Sequence, residues 1–239
     1  MSSQPTKQAL LGEVPQEFDT DTLRFDGLRG TRAAHLSAEA LESRLAALAP
    51  APKDEGTLDL LVARTPDFGR VLHERVTLTI AGGMPGDRFA LQIKYGPEAQ
   101  LATMQADHAR VIANGQPLEL HGDNLFLSLD LSAENLPVGS RLRLGEALLE
   151  VTPKAHNGCK KWAQRFGLAP MRLNMASHFR SRRLRGLYLR VIEDGECALG
   201  DRVVVVSRPR SAAPLAGVDQ SRMHQQSQGL ARTPGYQTL

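Results

Sequence analysis

The 239-residue chain predicts an α+β protein that is mainly β, built as a closed or nearly closed barrel with short peripheral helices. Three observations carry that expectation. Short apolar segments between Thr57 and Ser207 follow the period-two pattern of half-buried strands. Glycine-containing turns separate them at regular intervals, and only a few stretches have helical periodicity. Apolar residues make up 41% of the chain, enough for an ordinary core. The expected organisation is an N-terminal extension with one helix (1–56), a barrel domain (57–207) and a disordered tail (208–239), where Pro, Ser, Gln and Gly prevail.

In chain order, residues 1–35 are polar and broken by Pro5, Pro15, Gly27 and Gly30. Ser37 is placed to cap a helix reaching about Leu48, with Leu36 and Leu41 as a hydrophobic staple and Leu41, Leu45 and Leu48 on one face. Pro50-Ala51-Pro52 ends it. Strands are expected at Leu58–Arg64, Arg75–Ile80 and Asp87–Ile93, the last two separated by the Gly82–Gly86 loop. A helix is expected over Thr103–Asn114, closed by Asn114-Gly115, with His108 a surface or packing histidine. Gly122-Asp123-Asn124 leads into a strand at Leu125–Leu129. A hairpin follows, Arg141–Leu144 and Ala147–Val151, whose Gly145-Glu146 turn suits type II′. Leu187–Ile192 and Arg202–Val206 are the closing strands, with a turn at Glu193–Gly195.

The net charge of +3 says less than its distribution. From Val151 to Ile192 there are ten Lys or Arg and no Asp or Glu, a one-sign region that suggests an anionic ligand. Cys159 lies inside it. Asn157 is a good N-cap and Gly167 a natural stop, which makes Cys159 the second residue of a short helix. Helix N-termini and neighbouring cations stabilise a thiolate, the form that binds soft metals or carries sulfur. The alternative is a small buried thiol, and the flanking Lys160 and Lys161 favour the ionised reading. Cys197, without cations beside it, reads as structural. The Arg180–Arg185 cluster either rims a ligand mouth or is a solvated loop. The Met1–Lys7 start lacks the apolar stretch of a secretory signal, and no apolar run approaches the ~20 residues that span a bilayer. A cytoplasmic protein with both thiols free is the expectation.

Several segments, in order, resemble a known family. Gly122-Asp123-Asn124-Leu125 is similar to a G-E-N-L strand entry, with Asp in place of Glu. Leu136-Pro137-Val138-Gly139 and Gly145–Val151 resemble the hairpin before its cysteine, and His156–Lys161 with Arg165-Phe166-Gly167 the cysteine segment. Arg185–Val191, Glu193-Asp194-Gly195 and Gly200-Asp201 resemble its closing strands, and Gly86-Asp87-Arg88-Phe89 a segment of its amidoxime-reducing branch. The family is the MOSC domain, found at the C-terminus of molybdenum cofactor sulfurases and in stand-alone bacterial proteins.

The resemblance implies a β-barrel with the cysteine at the edge of a cleft, binding the molybdenum cofactor. On that basis Cys159 is the expected metal ligand and His156 a candidate proton donor. Arg88, Asn124, Asn157, Lys160, Lys161, Arg165 and Arg183 are candidate cofactor-binding residues. Two roles follow. One is reduction of N-hydroxylated or N-oxide substrates, with electrons from a separate reductase. The other is a carrier that holds the cofactor or a persulfide on Cys159 for an accepting enzyme. Pyridoxal phosphate is a family-level association only, because the aminotransferase-like domain that would use it has no counterpart in the sequence. A nucleic-acid-binding barrel is a third reading. The thin aromatic interleaving of the basic stretch (Trp162, Phe166, Phe179, Tyr188) argues against it.

Overall fold

The computed structural model describes residues 26–91 and 96–209. Ten strands and five helices lie along them, with three of the helices in succession between the seventh and eighth strands. The strands are β1 (Glu55–Arg64), β2 (Arg70–His73), β3 (Arg75–Leu78), β4 (Leu101–Gln105), β5 (Leu125–Leu127), β6 (Arg141–Leu144), β7 (Ala147–Val151), β8 (Leu187–Glu193), β9 (Gly195–Ala198) and β10 (Arg202–Ser207). The helices are α1 (Ala38–Ala46), α2 (Ala106–Ala113), α3 (Lys160–Phe166), α4 (Leu168–Met175) and α5 (Ser177–Arg180).

Seven strands close a mixed barrel in the order β1-β10-β6-β7-β8-β4-β5, with β5 returning to β1. All of its pairs are antiparallel except β4–β5. Register shifts in β1–β5, β7–β8 and β10–β6 supply the local bends that closure needs. Outside the barrel, β2 pairs with β1, and β3 with β9 forms a two-stranded ribbon.

Period-two alternation separates two cores. Leu58, Leu61, Leu101, Leu125, Leu127, Leu142, Leu149, Leu189 and Val203 fill the barrel. Their neighbours Val62, Met104 and Phe126 turn outward and meet Leu41 and Leu45 of α1, Ile112 of α2, and Trp162 and Phe166 of α3. One face of β1, β4 and β5 therefore carries the helical layer. Ser37 caps α1 by accepting from Ala40 N–H at 3.1 Å, and Leu36 and Leu41 pack in the same core, as the staple predicts. The Gly145 turn has φ 54° at its first position, while Glu146 is not left-handed, which fits type II′.

The structure corrects three local expectations. The Thr103–Asn114 helix begins only at Ala106, because Leu101–Gln105 is drawn into the barrel between β8 and β5. Of the two alternatives for His108, on α2, the structure takes the packing one, with the ring buried. The strand expected at Asp87–Ile93 is instead a 3-10 turn over Arg88–Leu91, with Asp87 Oδ1 accepting from Phe89 N–H at 2.7 Å; Gln92 and Ile93 lie outside the described residues. Cys159 is not the second helical residue but the N-cap of α3, and Asn157 stays outside the helix. The reason is close packing of Gly158, where a Cβ would sit 2.9 Å from Met171 Cγ and 3.0 Å from Trp162 Cε3. That contact draws the chain across α4 before α3 can start. Gly167, at φ 83°, does end α3, its N–H donating to Ala163 O at 2.8 Å. Strands β2 and β9 and helices α4 and α5 went unanticipated. The expected tail falls almost wholly outside the described residues.

Candidate functional site

Where the barrel rim meets the helical layer, an open cavity of about 240 Å³ is lined by Cys159 and six cations. The cations come from distant parts of the chain. Arg64 ends β1, Arg70 opens β2, Arg88 follows Asp87, Lys161 and Arg165 lie on α3, and Arg185 precedes β8. Phe68, Phe89, His121, Gly122, His156, Asn157 and Tyr188 complete most of the wall, and Asp26 is its lining carboxylate. The Cys159 side is open to solvent, whereas Cys197 is buried, and burial pushes its thiol up to about 12.

Two buried carboxylates behind the wall fix part of this charge. Asp87 takes Arg64 in a two-pronged pair, with Nε at 2.9 Å and Nη2 at 2.8 Å, and also accepts from Arg64 N–H and Asn124 Nδ2. Burial raises the Asp87 carboxyl, but Arg64 outweighs it and holds the group below the ordinary range. Asp123 accepts from His156 Nε2 at 2.8 Å on one oxygen and from Arg185 Nη1 at 2.5 Å on the other. Its burial likewise favours protonation, yet Arg185 and His156 hold it far below the usual carboxylate range.

His156 stacks on Tyr188 with centroids 4.2 Å apart. Burial, then the charge of Arg185, lowers it to about 4 against the pull of Asp123, so the ring is neutral at pH 7. Asp123 can only accept, so the single ring proton sits on Nε2. Among the described residues His156 Nδ1 and Arg185 Nε are buried and have no hydrogen-bond partner. His121 shares this floor. Its Nδ1 accepts from Trp162 Nε1 at 3.0 Å, its Nε2 donates to Ala109 O, and burial lowers it to about 3.

The remaining cations crowd one another. Arg70 Nε donates to Glu119 O and its Nη1 to Phe68 O and Gly69 O. Burial, then Arg88 and Arg64, lowers it to about 10. Arg165 donates to Leu28 O and Leu120 O, and burial, then Arg70, lowers it to about 10 as well. Lys161 is lowered by burial and by Arg88 and Arg165. A cavity whose cations depress one another is electrostatically suited to an anion.

Of the residues singled out from sequence, Cys159, His156, Asn157, Arg88, Lys161 and Arg165 line this cavity. Three do not. Asn124 is fully buried and committed to the fold. Its Oδ1 accepts from Ala102 N–H, and its Nδ2 donates to Val62 O and Asp87, tying β4 to β1. Arg183 donates to Leu131 O and Leu136 O and so braces the loop after β5. Lys160 is exposed and absent from the lining. Sequence reasoning passed over Arg64, Arg70, Phe68, Asp123 and Tyr188, whereas Arg185, in the Arg180–Arg185 cluster expected either to rim a ligand mouth or to be a solvated loop, does line the cavity. For Asp123 and Arg185 a signal existed, since both stand in the quoted segments, but only folding joins them.

Residues 90–204 match the family model for the MOSC domain. Comparison with curated proteins gives no match. Among solved structures the chain is similar to YiiM from Escherichia coli, at 24% identity and TM-score 0.43, covering 64% of this chain and 70% of that one. It is also similar to YiiM from Geobacillus stearothermophilus, at 18% and 0.43, covering 74% and 85%. The YUAD protein from Bacillus subtilis resembles it at 17% and 0.46, covering 62% and 94%. The segment that the MOSC model matches contains Cys159 and most of the residues that line the cavity.

Proposed function

We propose that the protein binds the molybdenum cofactor at the barrel rim and reduces N-hydroxylated or N-oxide substrates with electrons from a separate reductase. The observation that carries this reading is an exposed thiol, Cys159, at the edge of a cavity lined by six cations. The donor set fits the group. Among the described residues no cluster of three or more His, Cys, Asp or Glu could hold a bare metal ion. Cys159 offers one soft ligand, so a metal there must arrive with ligands of its own, as it does on a pterin. The pterin's phosphate calls for cationic donors, and Arg70, Arg88, Lys161 and Arg165 supply them. When bound, the cofactor supplies the redox chemistry.

The chain's own part is to hold, orient and protonate. His156, expected from sequence as a proton donor, is neutral, and its one proton is engaged by Asp123. It serves better as a rigid wall for Tyr188. Tyr188 lines the cavity as well, and burial pushes its phenol above the ordinary range, so that it stays protonated. Tyr188 is therefore a candidate proton donor of this site, in place of His156.

The test is elemental and pterin analysis of protein made in a molybdate-supplied host, followed by reduction assays with a chemical electron donor. One molybdenum per chain and turnover, both lost in Cys159→Ser, are expected. Metal-free wild-type protein, or unchanged turnover in the variant, would remove the proposal. The exposure of Cys159 also favours a carrier role; bound cofactor or transferable sulfur without any turnover would select it.

A further inference from the structure

A second cavity, of about 370 Å³, shares no lining residue with the one at the barrel rim. Distant parts of the chain build it. Leu45 and Leu48 come from α1 and the link after it, Gln105 and His108 from the junction of β4 with α2, Asp130 from the loop after β5, and Arg182 from the turn after α5. Hydrogen bonds brace these walls. Asn135 Nδ2 donates to Lys53 O at 2.9 Å and to Asp130 O at 2.8 Å. Asp130 N–H donates to Pro52 O at 2.8 Å, and Ala133 N–H to Ser181 O at 2.7 Å. The loop after β5 is thus tied both to the segment before β1 and to the turn that carries Arg182.

The polar part of the wall holds groups that the fold leaves unanswered. His108 is only 5% exposed, and its Nδ1 is enclosed with no hydrogen-bond partner among the described residues, which leaves Nε2 to meet a molecule in the cavity. A buried polar atom without a partner calls for an explanation. Burial, then the charge of Arg182, lowers the ring to about 4 against the pull of Asp107 and Asp130, so it is neutral at pH 7 and within electrostatic reach of charges of both signs. Arg182 Nη2 lies 3.4 Å from Leu45 O and its Cζ 5.2 Å from the Phe179 centroid, contacts that hold the guanidinium without neutralising it. Asp130 Oδ1 accepts from Ser132 N–H at 2.9 Å, which fixes the carboxylate without cancelling its charge.

Two carboxylates, Asp130 and Glu134, and two cations, Arg182 and Lys53, line this one space. The ion pairs of the described residues include none of the four. A plain anion entering here would meet Asp130, and a plain cation Arg182. Charges of both signs, unpaired with each other, suit a molecule that carries both signs itself. The rest of the wall is largely apolar, with Leu45, Leu48 and Pro50 in it.

We infer that this cavity is a binding site for a small zwitterion with an apolar side chain, the class of the aliphatic α-amino acids. Arg182, with the exposed Lys53, receives the carboxylate, and Asp130, with the exposed Glu134, receives the ammonium. His108 Nε2 hydrogen-bonds the head group, and Leu45 and Leu48 cover the side chain. The site uses none of the rim residues, so it stands whether or not the cofactor reading does.

A ligand-detected NMR titration of the full chain with L-leucine tests this, beside 4-methylpentanoate, which lacks the ammonium, and isoamylamine, which lacks the carboxylate. L-Leucine is expected to bind saturably and each analogue at least about tenfold more weakly, the weight of one charge-assisted hydrogen bond. Arg182→Gln should weaken L-leucine by a similar factor and leave isoamylamine within about twofold of wild type. Asp130→Asn keeps the oxygen that accepts from Ser132; it should weaken L-leucine and spare 4-methylpentanoate. A merely structural role would lower all three ligands together. The inference is overturned if L-leucine shows no saturation below about 10 mM, if either analogue binds as tightly as L-leucine, or if each variant weakens the three ligands alike. Should either variant fail to fold, the three ligands on wild-type protein decide by themselves.

Discussion

His156 Nε2 donates to Asp123 Oδ1 across 2.8 Å, while the other oxygen of the same fully buried carboxylate holds Arg185 at 2.5 Å. One acidic residue from the loop before β5 thus pins the loop before α3 to the start of β8. Replacing it by Asp123→Asn leaves the Arg185 charge buried without a counter-ion. Losing one member of a buried pair costs about 3–5 kcal/mol. Denaturant unfolding of the variant should show a loss of that size, and a loss under about 1 kcal/mol would mean that Asp123 is not the anchor it looks to be.

Acid should unfold the domain earlier than carboxylate protonation alone would. His108, His121 and His156 are buried and lowered to about 4, about 3 and about 4, chiefly by desolvation. In the unfolded chain each binds a proton near pH 6.5. Between that pH and about 4 the unfolded state holds more protons than the native one. Stability is therefore full above about 6.5 and declines as pH falls toward 4, by on the order of 2–3 kcal/mol per histidine. Thermal midpoints measured from pH 8 to pH 4 should drop most steeply in that window. A flat profile down to pH 4.5 would contradict the burial of these rings.

Cys159→Ser separates chemistry from folding. Cys159 is exposed and caps α3 without any side-chain hydrogen bond, whereas serine is a preferred N-cap residue. The midpoint of unfolding should stay level or rise by up to about 1 kcal/mol, while bound molybdenum falls to background. Metal retained at the wild-type level would take Cys159 out of the site.

Arg183→Ala should behave in the opposite way. Its guanidinium donates to Leu131 O and Leu136 O and does not line the cavity. Removing it leaves two inward-facing carbonyls short of a donor, at a cost of about 1–3 kcal/mol. Bound molybdenum should be unchanged. A weakened retention together with normal stability would return Arg183 to the binding residues.

Much of the barrel was legible because its strands carry the period-two code openly. The Arg141–Val151 hairpin and the Leu187 strand are each self-contained patterns of apolar and polar residues around a glycine turn. β4 was not legible, because Leu101–Gln105 is buried on both faces and so lacks alternation. Its apolar residues run straight into those of α2 and read as one helix. Asn157 misled for a related reason. Its type favours an N-cap, but the packing of Gly158 against Met171 and Trp162 decides where α3 starts.

The sequence by itself determined the fold class, the family resemblance and the place of one cysteine in a basic stretch, because strand periodicity, turn chemistry and local charge are short-range properties. Only the tertiary structure decided which cations surround that cysteine. Arg64, Arg70 and Arg88 come from before position 90 and Arg185 from beyond α5, and barrel closure brings them to one rim. It also decided that Asn124 and Arg183 serve the fold, since a polar side chain's role depends on which buried groups need it, and burial exists only once the chain has closed on itself.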